Sequence, residues 1–438
     1  MDEDKSLKEK LLPPLGQSVL LQWIAIADVF PIEAFNDLEQ GLKKLFADGT
    51  NYFSTYSPDR LTDAIARAKQ SFRSQSWSNV GTIKPKDLPE VAYLEIGLHQ
   101  TIDSALTVIV IAHLREETSK EVDSLLKTEF KAEDTFKNGH ISSRTFAGTV
   151  KIRAGLDYLK KVHLLIQNYL SQYIQGYFLL NPNDFPCPSI RLFTINEIPS
   201  DKDKLIEWVK RNSFLDCIGG SSVPRWIYKA DKHILFQPIR DNDIFSMSLI
   251  TPLSDSNNFT LEFSFALNLI AISKWAKSLS DEIVEFRSQI SHQFERKSEL
   301  VSDNTAHLNS LKTMLNKLEN LVMRFQRFSV DFEKMVSREN ILFNDVPKFL
   351  AIDDHDKHHF FKNVVDYAGL LIQHATKELE IHQKSAENLF QVLNLEVSTA
   401  LLIADSKLQS KLFRFTLVFA AINIILLVFQ IVLSIRSN

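Results

Sequence analysis

The sequence predicts a mainly α-helical chain with a small α+β domain, a long helical stalk and one C-terminal membrane helix. Three observations carry that expectation. Glycine is scarce, with 12 residues in 438, roughly 3% against a usual ~7%. Phenylalanine is abundant at 31 residues. The run Phe415–Ile435 contains no charge and no proline. A glycine-poor, phenylalanine-rich chain builds helices with bulky cores rather than glycine-rich phosphate loops or turn-dense sandwiches. The 50 basic and 54 acidic residues leave a net charge of −4. A surface that tracks phosphates needs a basic excess, so no nucleic-acid partner is expected. Two cysteines, Cys187 and Cys217, cannot make a disulfide framework or a four-cysteine zinc site.

Residues 1–180 read as a helical N-terminal region. Val19–Phe30 is apolar, short and interrupted by Asp28, and it follows the acids Asp2, Glu3 and Asp4. It is expected to be a core helix rather than a signal peptide. Ala92–Phe130 and Ser142–Leu180 carry apolar residues three and four apart, as two long helices would. In the second, Ile152, Leu156, Leu159, Ile166, Leu170 and Tyr173 mark one face, and His163 is its polar member.

The prolines of Asn181–Pro188 break this pattern, and residues 181–265 read as the small α+β domain. Ser189–Asn196, Arg225–Lys229, His233–Gln237, Ile244–Ile250 and Phe259–Phe265 are short, β-branched or aromatic, and separated by turn residues. Lys202–Asn212 reads as a helix among them.

Residues 266–412 are expected to form a helical hairpin or coiled-coil stalk. Ala276, Ile283, Ile290, Leu311, Leu318, Phe325 and Phe332 fall on a seven-residue repeat. Leu279, Phe286, Leu300, Met314, Leu321, Phe328 and Met335 fill the position three further on. Ser337–Asp353 reads as the turn, followed by a helix whose apolar face includes Leu389, Leu393, Val397 and Ala400.

Residues 413–438 form the expected anchor. At 1.5 Å per residue, Phe415–Ile435 spans ~31 Å, the thickness of the hydrocarbon layer. Lys407, Lys411 and Arg414 precede it and Arg436 follows. The excess of positive charge on the N-terminal side places the bulk of the chain in the cytoplasm, as a tail-anchored, single-pass protein. Within the span, Thr416, Ala420, Asn423, Leu427, Gln430 and Ser434 follow at alternating intervals of four and three. Amides are costly in lipid unless they find partners, so this polar stripe predicts association between helices, most simply as a homo-oligomer.

Motifs for chemistry are few. His355 and His359, with His358 between them, are four residues apart and could share a face toward a transition metal. No third ligand is placed, and Asp353 reads instead as a helix N-cap with solvated histidines after it. No metal and no cofactor are therefore assigned. Gly219–Ser222 lacks the spacing of a phosphate loop and reads as a turn before Pro224. Neither cysteine has an assignable base.

Arg287 and His292 in Arg287-Ser-Gln-Ile-Ser-His292 match the Arg-x4-His spacing of the HEPN family of all-α ribonucleases, with Ser288 in place of the Asn, Asp or His usual after the Arg. The resemblance implies two side chains acting on an RNA phosphate. In layout, a cytoplasmic head, a helical hairpin and a terminal membrane helix resemble CorA-type divalent-cation channels. That family's two spans joined by Gly-Met-Asn have no counterpart here, so its ion pathway is not carried over.

The leading expectation is a non-enzymatic, membrane-anchored oligomeric scaffold or sensor, without catalytic residues. Its partners would be the bilayer, further copies joined through stalk and membrane helix, and a protein bound by the head. The alternatives are a homo-oligomeric channel or membrane-permeabilising effector, with Asn423 and Gln430 lining a pore, and a HEPN-like ribonuclease or metal-dependent hydrolase.

Overall fold

The computed structural model describes residues 11–51, 58–69, 76–137, 140–180, 186–199, 201–219, 226–228, 235–238, 246–253, 260–296, 304–337, 349–351 and 364–436. In chain order these form β1 (Val19–Pro31), α1 (Phe35–Asp48), β2 (Thr50–Asn51), α2 (Pro58–Lys69), β3 (Ser76–Lys84), β4 (Val91–Ile102) and β5 (Ala105–Leu114). There follow α3 (Glu116–Lys127), the ribbon β6 (Glu133–Lys137) and β7 (His140–Thr145), α4 (Ala147–Ser171), β8 (Ser189–Ile195), α5 (Lys202–Arg211) and α6 (Asp216–Gly219). The last are β9 (Trp226–Tyr228), β10 (Leu235–Pro238), β11 (Ser246–Pro252), α7 (Thr260–Arg296), α8 (Asn304–Ser337), β12 (Phe349–Ala351) and α9 (Val364–Arg436).

Ten strands make one mixed sheet in the order β12-β9-β10-β11-β8-β1-β5-β4-β3-β2. Its axis is β1, paired antiparallel with β5 on one side and β8 on the other, so that Ala25 faces both Ile111 and Ile190. The β8–β11 pair is parallel, with Ser248 beside Arg191; its crossover contains α5 and α6, as a parallel connection requires.

The mainly helical fold class, with its helical N-terminal region, is therefore overturned: residues 19–114 supply half of a large sheet. Val19–Phe30, expected as a core helix, is the central strand, and most of Ala92–Leu114 is a β-hairpin. The physical reason is burial on both faces. In β5 nearly every residue is buried, so the period of two that betrays a strand is erased, as in the strands of covered sheets. A continuous apolar run also satisfies three-and-four spacing by chance. What remains is β-branching, and Val108-Ile-Val-Ile111 is rich in it. Four helices do appear within the region expected as helical, α1 to α4, the last two inside the long segments Ala92–Phe130 and Ser142–Leu180.

The separate small α+β domain is corrected as well. Strands β8 to β11 fall near the expected positions, but they extend the sheet begun by β1 rather than forming one of their own. The segment Phe259–Phe265, expected as a strand, opens helix α7.

The chain divides into two compact units, Met1–Ser278 with Phe328–Lys377, and Leu279–Arg327 with Glu378–Asn438. That division explains why no long coiled-coil stalk forms among the described residues. The heptad residues do not share one seam. Phe286, Met314 and Leu318 pack with Leu393 and Val397 in the second unit. Ala276 and Phe328 belong to the first, where the Phe328 ring meets Trp275 edge-on at 4.8 Å. The expected turn after Ser337 instead contains β12, which pairs with β9 at the sheet's end.

Candidate functional site: buried polar groups and the apolar helix

Asp28 lies in the middle of β1, beside Val108 of β5, and is 2% exposed. Its Oδ1 accepts from the backbone N–H of Val29 and of Phe178, both at 2.8 Å, and its Oδ2 from Leu179 at 3.3 Å. Gly176 belongs to the same bend: a Cβ placed there would sit 2.2 Å from Oδ2. The carboxyl thus ties the segment after α4 to the central strand, assisted by Tyr177 N–H donating to Val29 O at 2.9 Å. Burial pushes its pKa up to about 7, against the pull of these backbone donors.

His163 and Gln167 sit one turn apart on α4, both buried. The imidazole Nε2–H donates to Gln167 Oε1 at 3.1 Å, and the same oxygen accepts from Cys187 N–H at 3.2 Å. Burial, and then the nearby Arg191 guanidinium, push His163 down to about 3. Lys274 donates to the Pro186 carbonyl and stands 5.6 Å from the centre of the Phe178 ring. On β4, His99 Nδ1 accepts from the amide of Asn268 at 2.9 Å, which places the proton on Nε2. Burial pushes it down to about 4. Asp331 of α8 accepts from Ser104 N–H at 2.6 Å, in the turn between β4 and β5.

These groups bind elements to one another. The histidines are neutral near pH 7, and the amides orient them. Cys187 and Cys217 are both buried, and burial pushes the Cys217 thiol up to about 12, far from a nucleophilic thiolate. Among the described residues no three His, Cys, Asp or Glu side chains converge as metal ligands. His355, His358 and His359 lie outside the described residues, as do Gly220–Ser222. Arg287 and His292 are both on α7; His292 is exposed, and the Arg287 side chain lies outside the description.

In the sequence Asp28 stands out only as an interruption of an apolar run. That interruption was itself the available signal, since a carboxyl inside a covered strand must collect backbone donors. His99, Asn268 and Lys274 gave no signal, because their partners are 88 to 169 residues away.

The polar stripe falls on α9. Among the described residues one helical stretch, Glu387–Ile424, is long and apolar enough to cross a membrane by length and composition, and it overlaps the expected span over Phe415–Ile424. Thr416, Ala420 and Asn423 are exposed, whereas Leu427, Gln430 and Ser434 lie on the helix with side chains outside the description. The Thr416 hydroxyl donates to Leu412 O at 2.9 Å, so it is satisfied within its own helix. No family model, curated protein or solved structure matches this chain.

Proposed function

We propose that this chain is a membrane-anchored scaffold or sensor: α9 crosses a bilayer, and the sheet domain forms a cytoplasmic head that binds a partner without turning it over. One observation carries the reading. Every large apolar side chain from Leu412 to Ile424 is 47–68% exposed. At 100° per residue these side chains point around the whole circumference of the helix. An amphipathic helix hides one face; this stretch hides none, which suits hydrocarbon on all sides. At ~1.5–3 kcal/mol for each fully buried large side chain, lipid would stabilise the set by on the order of 10 kcal/mol.

Lys407, Lys411 and Arg414 on the head side favour a cytoplasmic head. Asn423 and Gln430 favour contact with another copy, because the Thr416 hydroxyl is already used. The neutral buried histidines and the protonated Cys217 thiol support a binding role over a catalytic one. Alkaline carbonate extraction of membranes tests the anchor. The full chain should stay in the pellet and a variant lacking residues 415–435 should be released; release of both sinks the proposal.

A further inference from the structure

The helix immediately before the apolar run has a second property. Leu393 and Val397 are the last fully buried residues of α9 among those described, and Ala400 is half-buried. Beyond it, Lys407, Lys411 and Arg414 are all exposed, and among the described residues none of them pairs with an acid. Their spacing of four and three places them within a wedge of about 60° at 100° per residue. Asp405, the nearest acid, points roughly 160° away from Lys407, and its carboxylate accepts from Gln409 Nε2 at 3.3 Å. Glu396 shares the wedge but lies ~16 Å further along the helix than Lys407, beyond a Debye length of ~8 Å.

The heights matter as much as the angle. Arg414 abuts Phe415, where the apolar run begins, with Lys411 ~4.5 Å and Lys407 ~10.5 Å further out. A headgroup layer is ~5–7 Å deep on each side. Arg414 and Lys411 therefore stand within it, and Lys407 lies within a screening length of its surface. Orientation by positive charge requires cations on one side of the span at any angle. It does not require them on one face, with the neighbouring acid turned away and engaged elsewhere.

We infer that Lys407, Lys411 and Arg414 form a docking stripe for anionic phospholipid headgroups on the head side of the bilayer. The inference rests on the proposed membrane span. Several cations along one line can meet two or three adjacent phosphates at once, and Arg414 can bind one with a two-pronged guanidinium contact. Near an anionic leaflet each cation is worth roughly a fivefold gain. The full set should therefore enrich anionic lipid around α9 by about tenfold or more over neutral lipid.

Native mass spectrometry of the full chain tests this, using micelles that contain equal phosphatidylglycerol and phosphatidylcholine. The wild-type protein should retain phosphatidylglycerol in clear excess. Lys407→Gln with Lys411→Gln and Arg414→Gln should abolish the excess. The charge-matched control Lys312→Gln, Lys317→Gln and Arg324→Gln, on the exposed side of α8, should keep it. Carbonate extraction of the same variants separates the two levels. Equal retention of both lipids, or an excess unchanged in the stripe variant, overturns the stripe while carbonate-resistant protein preserves the span. Release of the wild type by carbonate overturns the span and the stripe with it.

Discussion

Asp28 concentrates much of what a single residue does in this fold. It sits in the central strand and gathers backbone donors from the bend that follows α4. Its pKa of about 7 stands above the ordinary 3.8, so the folded chain holds a proton that the unfolded chain has released between those values. The stability from this group is fully present below about 3.8 and is lost as pH rises through about 7. His99 and His163 act in the opposite sense. With folded values near 4 and 3 against 6.5, their contribution is present above 6.5 and lost as pH falls. Comparing the wild type with Asp28→Asn cancels the histidines. The stability difference between the two should shrink for the wild type by up to about 4 kcal/mol between pH 4 and 7, and stay flat above. Urea titrations read by tryptophan emission measure it, since Trp23 and Trp275 are buried in the same unit; a difference that does not change with pH contradicts it. At the same bend, Gly176→Ala must displace the carboxylate that a Cβ would meet at 2.2 Å. It should cost about 1–3 kcal/mol in the same titration.

At the scale of elements, α9 carries a stretch with buried residues followed by an exposed one. Leu393 and Val397 are buried against Phe286, Met314 and Leu318, whereas Leu395, between them, is 71% exposed. Leu393→Ala should lower the stability of this three-helix contact by about 2–5 kcal/mol, and Leu395→Ala by less than about 0.5 kcal/mol. Thermal melts followed by helical circular dichroism distinguish them; equal losses would place the cluster wrongly. The strands carry a parallel lesson. Those of residues 189–252 were legible because turn residues punctuate them and their runs are short. β1 and β5 were not, because a strand covered on both faces loses the alternation that identifies it. In β4 the period of two at Leu94, Ile96 and Leu98 is masked by Val91, Leu94, Leu98 and Ile102, which also satisfy three-and-four spacing.

At the scale of the whole molecule, the proposal that α9 crosses a bilayer is also a proposal about where the protein works. The polar stripe makes a further expectation about copies of the chain within the bilayer. Interhelical hydrogen bonds in lipid are worth only ~0.6–2 kcal/mol each. Two of them, from Asn423 and Gln430, should shift self-association by roughly tenfold or more. In a crosslinking or membrane two-hybrid assay of the isolated span, Asn423→Leu with Gln430→Leu should weaken association, whereas Ile424→Leu with Ile431→Leu should not. Equal association of the two pairs would remove the stripe as an interface. The position of the long apolar helix was readable from the sequence, because run length and the absence of charge are properties of composition alone. Which of its polar groups remain available was not readable, since the Thr416 hydroxyl is consumed by its own helix.

The sequence by itself determined the apolar segment near residue 415, the basic residues before it, the helices α4 and α5, and the short strands after Pro188. Each follows from a local rule: a run length, a charge count, a period or a breaker. Only the tertiary structure decided that β1 and β3 to β5 are strands rather than helices and that they share one sheet with β8 to β11. It also decided that the heptad residues are divided between two units and that Asp28 holds a distant bend. These depend on pairings across tens to hundreds of residues, such as β1 with β8 and Ser104 with Asp331. A segment's own pattern does not contain its partner, and a strand covered on both faces takes its identity from the neighbours that cover it.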